Sequence, residues 1–177
     1  DYSWGSSNPA LVDLDGDGKL DIVVTNGNCQ GCSPSGVSAI RNISTSSALD
    51  FEYNYSEFYQ YQSNTFPIRI NVSDLNGDGK PDLLTNDWGG GISILVNSST
   101  SGNISLNGQI ILGVGLYPLA IATSDLNMDV SPEIVVANWE VEGLRIIHNF
   151  IPSILPVVSN CTDSLEVTDV IIDNANL

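Results

Sequence analysis

The sequence predicts an all-β fold built from about three similar units, and three observations support this. A short acidic loop occurs three times, beginning at Asp13, Asp74 and Asp125. Each loop is followed by a β-branched apolar run and then by a second apolar run, which glycine opens and asparagine closes. No stretch has the 3.6-residue apolar period of an amphipathic helix. A motif that recurs after 61 and then 51 residues indicates a repeat architecture.

The first loop, residues 13–21, has the composition of a calcium-binding turn. Its sequence is DLDGDGKLD, which places carboxylates at positions 1, 3, 5 and 9. Ca²⁺ takes six to eight oxygen ligands at about 2.3–2.6 Å, and alternate residues of a tight turn can point toward one ion. Gly18 suits the positive φ that such a turn needs. Lys19, at position 7, would supply its backbone carbonyl and not its side chain.

The second and third loops are variants of the first. Loop two, residues 74–82, is nearly a copy, and Lys80 takes the place of Lys19. Loop three, residues 125–133, carries Ser131 at that position, and Met128 and Val130 replace the two glycines. A β-branched residue resists positive φ. The sequence therefore predicts calcium at two loops and leaves the third open. A helical EF-hand or dockerin loop is disfavoured, because position 12 falls inside a strand-like run in all three loops.

Each unit is predicted to contain three or four antiparallel strands, and the acidic loop joins the first two. The strands before the loops are expected at 9–12, 67–73 and 118–124, and the strands after them at 22–25, 83–85 and 134–137. The glycine-opened strands are expected at 36–42, 91–97 and 143–149, with outer strands near 51–55 and 104–112. Four-stranded blades arranged radially, with a period of about 40–60 residues, are typical of a β-propeller.

Residues 72–97, VSDLNGDGKPDLLTNDWGGGISILVN, resemble FG-GAP/VCBS repeats, which form the blades of integrin-α-like propellers. The resemblance covers most of residues 9–150. It implies a β-propeller-type array of about three four-stranded blades, partial or completed by assembly, with Ca²⁺ in the hairpin between the first two strands. It also implies an extracellular adhesion, carbohydrate-binding or surface protein. The implied side-chain ligands are Asp13, Asp15, Asp17 and Asp21, then Asp74, Asn76, Asp78 and Asp82; the third loop offers Asp125, Asn127, Asp129 and Glu133.

The repeat divides the chain into three units, at about 1–60, 61–112 and 113–150. Residues 151–177 break the pattern, although 165–167 and 170–172 have the composition of short strands. Three interpretations of this tail remain open: the start of another domain, a last strand of the third unit, or an arm that joins a neighbouring subunit.

The charge of the chain restricts its partners. There are 21 acidic and 5 basic residues, a formal net charge of −16, and the acidic residues are concentrated in the loops. Binding nucleic-acid phosphates requires Lys and Arg, so we expect no nucleic-acid partner. Anionic membrane surfaces are disfavoured for the same reason. No run of 18 apolar residues predicts membrane insertion.

Asn-x-Ser/Thr sequons are more frequent than the composition predicts, which favours an extracellular glycoprotein. Asn71 lies in a predicted strand and is set aside. The predicted glycosylation sites are Asn42, Asn54, Asn97, Asn103 and Asn160, of which Asn97 and Asn103 flank a serine-rich turn.

Three other features need interpretation. Cys29 and Cys32 lie in an insertion of unit one, and we predict a local disulfide, because a zinc site usually needs four ligands and His148 is the only histidine. His148 occupies a repeat position with varied side chains, which favours a surface role over catalysis. Trp88 and Trp139 occupy equivalent positions, where packing between blades is favoured over a sugar-binding rim.

The sequence thus predicts an extracellular, non-enzymatic, calcium-binding repeat protein. Its expected partners are other copies of itself or neighbouring blades, in a surface layer or filament. The alternatives are an adhesin that binds glycans or extracellular proteins, and an accessory part of a larger secreted enzyme.

Overall fold

The structure is a computed structural model that describes residues 9–26, 35–52, 58–61, 66–88, 90–115, 117–139, 144–149 and 170–172. The regular elements in these ranges are all β-strands, as predicted. They are β1 Ala10–Val12, β2 Asp21–Asn26, β3 Gly36–Asn42, β4 Phe51–Glu52, β5 Phe58–Gln60, β6 Pro67–Ser73, β7 Asp82–Asp87, β8 Gly91–Leu95, β9 Ile110–Leu112, β10 Pro118–Ser124, β11 Glu133–Asn138, β12 Leu144–Ile147 and β13 Val170–Ile172. Within these ranges there is no helix of the length and apolarity needed to cross a membrane.

The strands form three antiparallel sheets, one for each repeat. The first sheet has the order β1-β2-β3-β4, and β5 also pairs with β3. The second has the order β6-β7-β8-β9 and the third β10-β11-β12-β13. In each sheet the acidic loop joins the first two strands, which meet at Val12↔Asp21 in the first sheet and at Ser73↔Asp82 in the second. The predicted loop placement is therefore confirmed.

The outer strands differ from the prediction. The strand expected at 104–112 is shorter, because only Ile110–Leu112 pairs with β8. The preceding segment folds back through single bridges, Asn97↔Leu106 and Thr100↔Asn103. The strand expected near 51–55 is described only as Phe51–Glu52.

The tail contributes a strand to the third sheet. Val170–Ile172 pairs with Leu144–Ile147 as the fourth strand. Of the three interpretations of the tail, this pairing agrees with the last-strand alternative. The other predicted tail strand, 165–167, lies outside the described residues.

The second sheet is buried on both of its faces. Successive side chains of a strand point to opposite sides, so Leu83 packs in a core shared with the first sheet and Leu84 in a core shared with the third. Every residue of β7 and β8 is buried. Such face-to-face packing of four-stranded antiparallel sheets fits a β-propeller-like fold. Over the described ranges the sheets do not close into a ring.

Equivalent hydrogen bonds join unit one to unit two and unit two to unit three. The asparagine after the third strand of one unit donates its Nδ2 hydrogen to the loop leucine carbonyl of the preceding unit: Asn97 to Leu14 O at 3.0 Å, and Asn149 to Leu75 O at 2.6 Å. The same leucines are buried by the unit that follows, with exposed fractions of 2% and 4%. The equivalent Leu126 of unit three is 55% exposed.

Candidate functional site: three acidic loops

The first aspartate of each loop holds the turn together by accepting backbone hydrogen bonds. Asp13 Oδ1 accepts from Gly16 N at 2.9 Å, and Asp13 Oδ2 accepts from Gly18 N at 2.9 Å. Asp74 accepts in the same way from the amides of residues 77 and 79, and Asp125 from those of residues 128 and 130. The three loops therefore share one hydrogen-bonded conformation.

Two positions of this turn require positive φ in every loop. Gly16 and Gly18 have φ of 72° and 86°, and the equivalent glycines of loop two are similar. Met128 and Val130 adopt the same region, with φ of 66° and 78°. The expected resistance of these side chains does not prevent the turn from forming. It costs energy, because a residue with a Cβ loses about 1–2 kcal/mol in this region.

The last acidic residue of each loop is buried, and in loops one and two it also accepts a hydrogen bond from the asparagine at or just after the end of the third strand. Asp21 accepts hydrogen bonds from Leu14 N at 2.9 Å and Asn42 N at 2.8 Å. Asp82 accepts the equivalent pair in unit two, from residues 75 and 97. Burial raises the pKa of Asp21 and Asp82 above the usual range, backbone donors partly oppose this, and the neighbouring loop carboxylates raise it further. An added positive charge would relieve this repulsion.

The oxygens of loop one converge closely enough to share a cation. Asp13, Asp15 and Asp21 each bring a carboxylate oxygen within 4.8 Å of the others. An ion that binds at about 2.3–2.6 Å bridges oxygens separated by up to about twice that distance. All of these donors are hard oxygens, which suit Ca²⁺ better than the nitrogen and sulfur ligands preferred by Zn²⁺. The residues present therefore have the donor chemistry that a hard cation such as Ca²⁺ requires.

In the remaining ligand positions the side chains also support the turn. Asp15 and Asp17 accept from the backbone amides two residues later, at 3.0 and 2.9 Å. The equivalent bonds in the other loops are made by Asn76 and Asp78 to the amides of residues 78 and 80, and by Asn127 and Asp129 to those of residues 129 and 131. Glu133 accepts from Leu126 N at 2.8 Å and lies 3.7 Å from His148 Nδ1. Among the described residues, a convergent group of three carboxylates is present in loop one, and the same positions of loops two and three take part in the hydrogen bonds of the turn.

Sequence reasoning missed a cation at loop one. Arg41 Nε donates to Asp15 Oδ2 at 2.7 Å, and one of its terminal nitrogens lies 3.3 Å from Asp17 Oδ2. Glu52 lies 3.6 Å from the other terminal nitrogen. Arg41 directly precedes the asparagine that closes β3. The sequence signal for this contact was the position of Arg41 in the repeat, because His148 occupies the equivalent position in unit three.

A buried carboxylate outside the loops was also not predicted. Asp87, at the end of β7, accepts hydrogen bonds from the hydroxyls of Thr85 and Ser93. Tyr61 OH and Gln109 Nε2 extend this polar network. Burial raises the pKa of Asp87 to about 7.

The predicted glycosylation sites differ in accessibility. Asn103 is exposed at a turn, whereas Asn97 is buried and donates to both Leu14 O and Pro81 O. Asn97, whose side-chain amide would carry the glycan, is only 1% exposed in this structure. Asn42 is half-buried and donates to Leu20 O. Asn54 and Asn160 lie outside the described residues.

Two of the sequons have a structural explanation. The Oδ1 atoms of Asn42 and Asn97 accept hydrogen bonds from Ser44 N at 3.0 Å and Ser99 N at 2.8 Å. These are Asx turns, in which a side-chain oxygen caps the backbone two residues later. Part of the sequon excess therefore comes from the repeat itself.

The two tryptophans have different surroundings. The ring of Trp88 meets that of Tyr117 edge to face, with centroids 5.0 Å apart, which agrees with the packing interpretation. Trp139 is 72% exposed. Cys29 and Cys32, with their predicted disulfide, lie outside the described residues, as does Cys161.

Comparison with known families identifies the repeats. A family model described as FG-GAP-like repeat matches residues 74–136, which span loops two and three. A second, described as FG-GAP repeat, matches residues 5–30, around loop one. Comparison with curated proteins and with solved structures gave no match. Repeats of this kind are typical of extracellular or surface proteins. The chain is an FG-GAP repeat protein.

Proposed function

We propose that this chain is an extracellular, non-catalytic module that binds calcium in its acidic loops and serves a structural role in a cell-surface layer or filament. The observation that carries the proposal is the threefold recurrence of one acidic, hydrogen-bonded turn. The turn persists in loop three even though Val130 must adopt an unfavourable φ. Unit three keeps this geometry although the side chains of Met128 and Val130 oppose it, which supports a shared role for the three loops.

In loop one, calcium would be held by Asp13, Asp15, Asp17 and Asp21 together with the Lys19 carbonyl, and in loop two by the equivalent residues. When bound, the ion supplies positive charge and cross-links oxygens. Asp21 and Asp82 are fully buried at the start of β2 and β7. Neutralising them would stabilise each β-hairpin and the packing of one unit on the next. The role is mechanical, so no bond of a substrate needs to be made or broken.

Thermal unfolding tests the calcium proposal. A ligand that binds only the folded state stabilises it by mass action, by about 2.7 kcal/mol at one hundred times the dissociation constant. The melting temperature should therefore be higher in millimolar calcium than in EGTA. Asp15→Ala and Asp78→Ala should each remove part of this difference, because each affects one loop. An equal melting temperature in both buffers, with no calcium by elemental analysis, would contradict the proposal.

The open side of unit three supports the assembly role. Leu126 occupies the position of Leu14 and Leu75, both of which a following unit covers, yet it is largely exposed. In unit one, Asn42 occupies the position of Asn97 and Asn149, the two asparagines that donate hydrogen bonds across the unit boundaries. A second copy that packs its unit one against unit three would repeat the contact made twice within the chain. Head-to-tail contacts of this kind give a ring or an open filament.

A pair of charge substitutions tests this interface. Leu126→Glu introduces a charge on the open side of unit three. Ile110→Glu introduces the same charge in unit two, which the proposed contact does not use, at a side chain of comparable exposure, 47% against 55%. Light scattering in calcium should show assembly of the wild type and of Ile110→Glu, and a monomer for Leu126→Glu. A wild type that stays monomeric across the concentrations tested would contradict the assembly role. It would not affect the calcium proposal, which the thermal unfolding experiment tests separately.

One observation favours a glycan-binding adhesin as a second candidate. Trp139 exposes most of its ring, and an exposed indole stacks on the apolar face of a sugar. If this candidate is correct, glycans should change the tryptophan fluorescence of the wild type, and Trp139→Ala should abolish the change. Absence of binding across a panel of neutral and acidic glycans would eliminate it.

A further inference from the structure

Arg41 distinguishes loop one from the other two. Its side chain is half-buried, and its guanidinium makes a 2.7 Å ion pair with Asp15 and a 3.3 Å ion pair with Asp17. Both partners are among the calcium ligands proposed for this loop. The equivalent position holds Val96 in unit two, where the side chain packs against the second core. A fixed positive charge therefore faces loop one from the position where unit two carries an apolar group.

The carboxylate that Arg41 holds also joins unit one to unit two. Asp15 Oδ2 accepts a second hydrogen bond, from Gly102 N at 3.0 Å. Gly102 lies in the turn between Thr100 and Asn103, 87 residues along the chain from Asp15. The Asp15 side chain is buried, so these two donors and the amide of Asp17 share its oxygens. A cation that recruits Asp15 has to compete with Arg41 and with the turn of unit two.

We propose that Arg41 is a built-in counter-cation that lowers the calcium affinity of loop one below that of loop two, so that the loops fill in order. This inference rests on the proposed calcium binding and specifies how the chain regulates it. Without calcium, Arg41 offsets the repulsion between Asp15 and Asp17. When calcium occupies loop one, the guanidinium and the Gly102 amide give up part of their bonds to Asp15. Filling loop one is thereby coupled to the contact between units one and two.

The size of the effect follows from the bonds that are lost. A hydrogen bond to a charged group contributes about 1.5–3 kcal/mol, which corresponds to roughly 10- to 150-fold in affinity. Arg41→Val gives unit one the valine that unit two carries at the equivalent position, Val96. It should tighten calcium at loop one by at least about tenfold and leave loop two unchanged. The melting temperature of Arg41→Val in EGTA should be lower than that of the wild type. In calcium this difference in melting temperature should become smaller or change sign.

Glycine amides allow each loop to be followed separately by NMR during a calcium titration of the full chain. Gly16 and Gly18 report on loop one, and Gly77 and Gly79 report on loop two. In the wild type, the loop-two amides should shift at lower calcium than the loop-one amides, and Gly102 should shift together with loop one. In Arg41→Val the two titrations should coincide. Arg69→Ala is the control, because it removes the same charge from an exposed position on β6.

Each outcome has a distinct meaning. Equal midpoints for both loops in the wild type, unchanged in Arg41→Val, would overturn the role of Arg41 and leave calcium binding intact. An equal gain in loop-one affinity in Arg69→Ala would also overturn it, since net charge alone would then explain the effect. If no glycine of either loop shifts in millimolar calcium, the proposed calcium function fails, and the present inference fails with it.

Discussion

The most informative stability experiment removes the side chain of Asn97. This residue lies at the boundary between units one and two, with only 1% of its surface exposed. Its Nδ2 donates to Leu14 O and to Pro81 O, both at 3.0 Å, and its Oδ1 accepts from Ser99 N at 2.8 Å. Asn97→Ala leaves Leu14 O, Pro81 O and Ser99 N without their hydrogen-bond partner.

The expected loss can be estimated from these three bonds. Each contributes about 1 kcal/mol net, and a buried partner left unsatisfied costs about 1–3 kcal/mol. A destabilisation of about 3 kcal/mol follows. For a chain of 150–250 residues each kcal/mol lowers the melting temperature by about 2–4 °C, so the expected fall is roughly 6–12 °C.

Calorimetry and urea unfolding at constant calcium measure this loss, and Asn103→Ala is the matched control. Asn103 is an exposed asparagine of the same region, so its replacement should change stability by less than about 0.5 kcal/mol. Amide exchange should also increase in Asn97→Ala at the boundary between units one and two. Equal melting temperatures for the two variants would refute the role assigned to the asparagine hydrogen bond between units.

Three further predictions concern strain, burial and close contact. Val130→Gly should stabilise the protein by about 1 kcal/mol in urea unfolding, because it relieves a positive φ at a side chain that is 86% exposed; a loss of stability would contradict the strain. Asp87 has a pKa of about 7 in the fold and about 4 when unfolded. The folded state therefore holds an extra proton between these values, and the stability due to Asp87 falls as pH rises through them. The free energy of unfolding of Asp87→Asn should therefore increase relative to that of the wild type between pH 5 and pH 8. A difference between the two proteins in urea unfolding that does not change with pH would argue against this. Gly36→Ala should destabilise by about 1–3 kcal/mol, because its Cβ would overlap Tyr59 O, whereas Gly108→Ala, which meets open space, should be neutral in the same assay.

The local features of the fold were predictable because the sequence signals are local. The alternation of acidic loop, β-branched run and glycine-opened run predicted the strands of each unit, and the structure places them as expected. The convergence of Asp13, Asp15 and Asp21 was equally predictable, because nine consecutive residues supply all three side chains.

The contacts between distant residues were not predictable. Asn97 looked like an accessible sequon, since nothing near it in sequence indicates a bond to Leu14, 83 residues away. The positions of Arg41 and Gly102 over Asp15 depend in the same way on how unit two packs on unit one. The strand at 170–172 joins a sheet whose preceding strand ends at Ile147, and composition does not encode that pairing.

Local rules also failed where several weak bonds act together. Val130 was expected to disfavour the turn of loop three, since a β-branched residue avoids positive φ. Three backbone amides donate to Asp125 at 2.7, 3.2 and 2.9 Å and hold the turn in place. Their combined contribution offsets a strain of about 1–2 kcal/mol.

Equilibrium dialysis of the full chain against calcium tests the central claim most directly, because it counts bound ions. The proposal predicts at least two calcium ions per chain at saturation. It also predicts one ion fewer for Asp78→Ala, which removes an acidic side chain of loop two. Binding of fewer than one ion per chain in millimolar calcium, or the same count in the wild type and in Asp78→Ala, would contradict the assignment of the acidic loops as calcium sites.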